Sequence, residues 1–300
     1  MISITKTRNY WFIFSGVLVA ISIVFLFLWK LNFGIDFTGG SLMEISFKEN
    51  PPQSEDITNV IKSSGVVENL SIQQIGEKGF ILKFKDIGEA EHQQMFQSIQ
   101  AAYKENVAEE RFNSIGPNVG QDLKQKTLKA IIIAIIGIVA YIAWAFRKVS
   151  KPVTSWKYGI IASLALFHDV IIALGVFSFL GKFYNVEVNA PFIAAVLTIL
   201  GYSVNDTIVV FDRIRENLTK YYEGNLEHII EKSIRETYVR SINTSMTVIL
   251  TLFAILIFGG ATIRDFALAL IIGVVFGTYS SIFLASPLLL VFEKATKKNK

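Results

Sequence analysis

The sequence predicts a polytopic α-helical membrane protein: six transmembrane helices, with a small α+β domain of ferredoxin-like type between the first and the second. Three observations predict it. Of 300 residues, 52% are hydrophobic, 24 are Phe, and mean hydropathy is +0.46, too apolar for one soluble domain of that length. The apolar residues fall into six runs, each long enough to cross a bilayer. Charge is also unevenly divided: residues 30–126 carry ten Lys/Arg against fourteen Asp/Glu, a net of −4, which leaves +8 for the rest. Basic cytoplasmic loops plus one translocated domain produce that split. A nucleic-acid-binding patch does not, so no nucleic-acid partner is expected. There is no Cys, and the three His are scattered, so neither disulfides nor a zinc site are expected.

In chain order, residues 1–9 form a short cytoplasmic N-terminus, since Lys6 and Arg8 precede the first span at 10–29. That run is longer than the apolar region of a signal peptide, and no small-x-small cleavage site follows it. Residues 30–127 form the extracytoplasmic domain. Ser41–Phe47 alternates as a strand; Ser54–Ser63 reads as a helix with Ser54 as N-cap. Leu70–Ile75 and Phe80–Phe84 read as strands joined by a turn at Gly76–Gly79. Glu89–Tyr103 is helical by period and Arg111–Ile115 is a last strand. The order βαββαβ is that of a ferredoxin-like sandwich, a fold too widely used to name a function. Two Gly-rich pieces bracket the domain, Gly34-Ile-Asp-Phe-Thr-Gly-Gly40 and Gly116-Pro-Asn-Val-Gly120. No Walker Lys-Ser/Thr follows either, so they read as tight backbone turns near the membrane rather than phosphate cradles.

The remaining spans are 128–146, 158–180, 191–211, 242–258 and 266–292. Arg147, Lys148, Lys151 and Lys157 make a basic inside loop, and the weakly charged stretch 181–190 belongs outside. Pro287 is expected to kink the sixth span. The tail 293–300, with four Lys, returns inside, so both termini are expected in the cytoplasm. Residues 212–239 are too charged to insert. Leu226, Ile229, Ile230 and Ile234 recur there at helical spacing, giving an amphipathic cytoplasmic segment that lies on the interface or against a neighbour.

Three sets of polar residues lie within spans. Asp206 is the foremost, because a carboxylate in hydrocarbon costs at least ~2.5–3.5 kcal/mol and needs a partner or a task. Tyr202 and Ser203 share its helix face and read as packing. Span five carries Arg240, Asn243, Thr244, Thr247 and Thr251 on one stripe, which lipid cannot satisfy. The simplest arrangement points the stripe at Asp206, with Arg240 as counter-charge. The adjacent pair His168-Asp169 lies about mid-span. Such a set can relay protons, since an Asp that alternates between a desolvated site and an Arg loads and releases one. It can equally be a fixed ion pair with ordinary helix glue, and residue chemistry leaves both readings open. Gly273-Val-Val-Phe-Gly277 permits close helix approach. No P-loop, nucleophile–base set or metal spacing appears, so neither an enzyme nor a cofactor is expected.

Gly34–Gly40, Gly116–Gly120, Gly201–Asn217 and Arg240–Ser245 together resemble the signature blocks of the SecD/SecF family of bacterial protein-export membrane proteins, within the RND superfamily. The resemblance covers almost the whole chain. It implies one RND half-unit that pairs with SecD as a heterodimer and associates with the SecYEG channel. YajC, a YidC-type insertase, the translocating preprotein and membrane lipid are further implied partners. It implies use of the proton (or sodium) gradient to promote protein translocation, with ion coupling at Asp206 and Arg240. His168 and Asp169, with Asn243, Thr244 and Thr247, are accessory intramembrane polar groups under this reading, without an assigned role. Two other functions fit the same architecture: an RND-type ion-coupled exporter of small molecules or lipids, and a passive translocon assembly factor.

Overall fold

The computed structural model describes residues 3–63, 65, 67, 69–147, 153–220 and 225–298. The chain divides into two compact units, Met1–Asn32 with Lys129–Lys300, and Phe33–Leu128. Its elements in order are α1 (Arg8–Trp29), α2 (Ile35–Thr38), β1 (Gly40–Phe47), α3 (Ser54–Ser63), β2 (Ser71–Ile75), β3 (Gly79–Phe84), α4 (Glu89–Tyr103) and β4 (Val107–Ile115). There follow α5 (Pro117–Ala145), α6 (Ser155–Tyr184), α7 (Ala190–Lys220), α8 (Leu226–Phe258), α9 (Ala261–Ser280), a π-helical turn (Ser281–Ala285) and α10 (Ser286–Lys298). Among the described residues, six helical stretches are long and apolar enough to cross a membrane, with α9, the π turn and α10 counted as one.

The domain between α1 and α5 is one antiparallel sheet, ordered β2-β3-β1-β4. Alternation drives it: Met43, Ile45 and Phe47 on β1 and Phe80, Leu82 and Phe84 on β3 point to one face. There Ile57 and Ile61 of α3 and Met95 and Ile99 of α4 close the core. β4 begins four residues before the Arg111 start read from the sequence. Its pairing with β1 slips between Glu44 and Ile45 and leaves Glu110 without a register partner, and a bulge of this kind erases the two-residue period. The cap of α3 also lies one residue earlier than expected. Ser54 is already helical, and the Gln53 N–H donates to Asp56 Oδ2 at 3.3 Å.

The two Gly-rich pieces meet. Gly39 and Gly40 take positive φ (75° and 126°), which turns the chain from α2 into β1. Gly116–Gly120 is not a free turn. Pro117 opens α5, and the Gly116 carbonyl accepts from the N–H groups of Val119 (3.0 Å) and Gly120 (3.2 Å). A Cβ on Gly120 would sit 3.0 Å from Gly39 N and 3.2 Å from the Phe37 carbonyl oxygen, and one on Gly39 would sit 2.8 Å from Pro117 Cα. Backbone packs on backbone here, which leaves no room for a phosphate.

In the membrane unit α6, α7 and the last span form the centre, while α1, α5 and α8 leave most of their apolar surface outward, as at Phe27, Ile133 and Phe258. Small residues set the spacing. Cβ atoms built on Gly273 and Gly277 would meet the Ile199 side chain at 2.2 Å and Ser203 at 3.2 Å, so the last span lies close on α7. Gly175 does the same for α6 against Ser22 of α1 (2.3 Å).

The charged stretch 212–239 does not form a separate helix. α7 runs on to Lys220, and α8 starts at Leu226, where Asn225 accepts from the Glu227 N–H, and continues unbroken through span five. Ile229, Ile230 and Ile234 pack in one cluster with Phe211, Ile214 and Leu218 of α7, so the amphipathic face lies against a neighbour. The helix is irregular where a kink is expected, at Pro287. A π turn precedes it, the wider ring accommodating a residue that has no N–H for the preceding turn. Of the expected basic loop, Lys148 and Lys151 lie outside the described residues. Lys157 is buried rather than solvated, its Nζ donating to Glu293 Oε2 at 2.6 Å.

Gly120→Val is expected to destabilise the sheet domain by ~1–3 kcal/mol, because backbone atoms cannot yield to the new side chain. Gly137→Ala, with nothing within 4 Å, should be neutral. Thermal unfolding of the two variants in detergent checks the pair.

Candidate functional site

Near the middle of α7, Asp206 is 8% exposed, and no cation among the described residues pairs with it. Its donor is a hydroxyl: Ser281 Oγ, on the first residue of the π turn, makes a very short bond to Asp206 Oδ2. Ser241 of α8 and Thr207, both 1% exposed, have hydroxyls without a hydrogen-bond partner among the described residues. Ser241 stands beside the Asp206 carboxylate but outside good bonding geometry.

Asp169, mid-way along α6, is fully buried and better supplied. It accepts from His168 Nδ1 (2.8 Å), Ser203 Oγ of α7 (2.5 Å) and Ser280 Oγ of α9 (2.8 Å). Ser203 is therefore a ligand of a carboxylate rather than mere packing. The close approach that Gly277 permits brings it there. The Tyr202 hydroxyl likewise donates to Ser245 Oγ (3.1 Å), which bonds closely to Thr278 Oγ1 of α9. Two carboxylates from two helices thus rest on consecutive serines of the last span, Ser280 and Ser281. Sequence reasoning missed those serines. Their signal is the run Thr278-Tyr-Ser-Ser281 inside an otherwise apolar span.

The stripe on α8 is placed otherwise than expected. Arg240, Asn243, Thr244, Thr247 and Thr251 are all exposed, and Arg240 makes no ion pair with Asp206. The threonines turn their hydroxyls back to the helix: Thr244 to the Arg240 carbonyl (2.9 Å), Thr247 to Thr244 (2.8 Å), Thr251 to Thr247 (3.0 Å). The inner face of α8 at this level is the other set, Ser241 and Ser245. On α7, Thr198, Gly201 and Asn205 are exposed too, at offsets of three and four.

Comparison with known proteins now bears on this arrangement. The family model for the SecD/SecF protein-export membrane protein C-terminal region matches residues 95–295, and the SecD/SecF GG motif matches residues 25–50. The chain belongs to the SecD/SecF family. It is 42% identical to a protein translocase subunit SecF of Thermobaculum terrenum, over 98% of this chain and 94% of that one. A SecF of Sebaldella termitidis is 38% identical, covering 100% and 95%. Among solved structures it is similar to SecDF of Thermus thermophilus, described as a translocon-associated membrane protein, with a TM-score of 0.83 and 30% identity over all of this chain. The chain corresponds to 39% of the length of that SecDF chain. The matched GG motif spans the turn at Gly39 and Gly40 that packs on Gly120.

Ser281→Ala strips Asp206 of its hydroxyl donor. It should cost ~1.5–3 kcal/mol of stability, as for a hydrogen bond to a charged group. Asp206→Asn keeps an acceptor without the charge and should cost less. Unfolding midpoints of the two variants, measured side by side, check the order.

Proposed function

We propose that the chain works as an ion-driven subunit of the Sec protein translocase, with Asp206 as the group that takes up and releases the ion. One observation carries the proposal: a carboxylate within a membrane helix, answered by a hydroxyl and, among the described residues, by no cation. Such a group is neutral with a proton and charged without one, and each state asks for a different partner. Ionised, it accepts from Ser281. Protonated, it gains an O–H to donate and becomes a weaker acceptor, so the Ser281 bond loses strength. Because Ser281 opens the π turn, that change acts on the packing of the last span against α7. One charge falling through ~100 mV of membrane potential supplies about 2.3 kcal/mol, comparable to a buried hydrogen bond to a charge.

The exposed polar stripe supports the heterodimer. Arg240, Asn243, Thr244 and Thr247 sit on a helix whose other outward residues are apolar, and lipid leaves such groups unsatisfied. A second six-span half-unit, a SecD chain, would cover them and bring its own groups to the mouth of the Asp206 site. Arg240 then acts in the assembled pair, across the interface. SecYEG, YajC, a YidC-type insertase and the moving preprotein are the further partners in this reading. Both termini lie in the cytoplasm and the sheet domain lies outside. The reading asks for no cofactor and no enzymatic bond-making.

In proteoliposomes holding the full translocase, Asp206→Asn should abolish the gradient-dependent part of preprotein export and leave the ATP-driven part. Arg240→Ala should lower the same part with assembly intact. If both variants co-purify with SecD and export at the wild-type rate under a gradient, the chain is a passive assembly factor instead.

A further inference from the structure

We infer that Asp169, with His168, is a second proton-binding site, coupled to Asp206 through the neighbouring hydroxyls of Ser280 and Ser281. The coupling half of the inference rests on the reading of Asp206 given above; the Asp169 site itself does not. Asp169 is fully enclosed in the centre of the bundle, and its three donors are an imidazole and two serines. Around it, α7 presents Ser203 and, one turn on, Asp206; the last span presents Tyr279 and Ser280; α1 presents Ser15 through Tyr279. Among the described residues, no Lys or Arg pairs with it. A carboxylate placed so is neutralised only by a proton, held on its own oxygen or on His168.

His168 supplies the independent sign. The residue is 6% exposed and its Nε2 has no hydrogen-bond partner among the described residues. With Nδ1–H turned to Asp169, Nε2 is a bare lone pair. The Tyr279 ring stacks over the imidazole at 6.1 Å, but its hydroxyl is committed to Ser15 Oγ (3.0 Å) and the Trp11 carbonyl (3.3 Å). Buried nitrogens without partners are rare, and this one is the open acceptor of the pair. The balance is simple. One proton adds to Nε2, giving the Asp169 carboxylate beside an imidazolium, or to Asp169 itself, giving a neutral pair. Its departure to water restores the starting state.

The coupling follows from hydroxyl arithmetic. A serine has one hydrogen to give. Ser280 Oγ lies within reach of Asp169 Oδ2 (2.8 Å) and of the Gly277 carbonyl of its own helix (3.1 Å). Ser281 Oγ has the same choice between Asp206 Oδ2 and the Thr278 carbonyl. A protonated carboxyl is the weaker acceptor, so its serine turns more readily to the carbonyl. The two serines are consecutive at the entrance to the π turn, so a shift at one displaces the other. The sites then titrate as a pair rather than singly.

The test is an infrared pH titration of the protonated carboxyl C=O region, using the full chain with its SecD partner in lipid vesicles. Two carboxyl signals are expected in the wild type. D206N should keep the one that D169N loses, and D169N the other. The midpoint of the Asp169 signal should differ between wild type and D206N, and the S280A/S281A double variant should abolish that difference. A D169N spectrum identical to wild type at every pH overturns the site, and an Asp169 midpoint unmoved by D206N overturns the coupling. Should D169N not assemble, H168Q decides the matter, because it must displace the Asp169 signal and an unmoved signal overturns the site. Full gradient-driven export by D206N would defeat the ion-coupling role of Asp206 while leaving the infrared assignment of Asp169 standing.

Discussion

Two carboxylates inside the bundle are held by serine hydroxyls, Asp169 with the His168 imidazole besides, and the rest of the membrane unit is built around that constraint. A hydroxyl can satisfy an ionised acid only if the helices come very close, since the serine side chain is short. Gly273 and Gly277 provide that closeness by lying against Ile199 and Ser203 with no side chain between. The π turn at Ser281–Ala285 then places Ser280 and Ser281 to serve different helices. Long basic side chains would have bridged the same gaps with less exact packing, but a buried ion pair resists changing its charge. A hydroxyl carries no charge of its own to oppose such a change.

The outer surface obeys a different rule. α1, α5 and α8 turn apolar side chains outward as lipid requires, yet α8 interrupts that surface with the Arg240–Thr251 stripe. Inside and outside faces of α8 are thus both polar at one level, Ser241 and Ser245 inward and Thr244 and Thr247 outward. Lipid cannot satisfy such groups, which is why the stripe makes sense at an interface with another protein.

Much of this was legible in the sequence. Six apolar runs and the βαββαβ order appear because burial follows a period of 3.6 or of 2, and those periods survive in the residues themselves. Asp206 and Asp169 were visible because an acid in an apolar run needs a partner or a task. Their partners were not. Ser280 and Ser281 look like the small residues of any membrane helix, and only the geometry of the π turn gives them a direction. Arg240 misled for the same reason: helix periodicity says which residues share a face but not which neighbour the face meets. The β4 bulge and the continuity of α8 through its charged half were hidden because tertiary packing, on β1 and on α7 respectively, overrides local pattern.

The central claim is that the charge of Asp206 sets how the last span packs on α7. The chain has no cysteine, so spin labels can be placed cleanly at Arg215 on α7 and Val291 on α10. The distance distribution between them, measured by pulsed electron resonance in the assembled complex, tests the claim directly. The account predicts two populations whose ratio follows pH, and one population in Asp206→Asn at all pH values. A single distribution, the same in both proteins and at every pH, would contradict it.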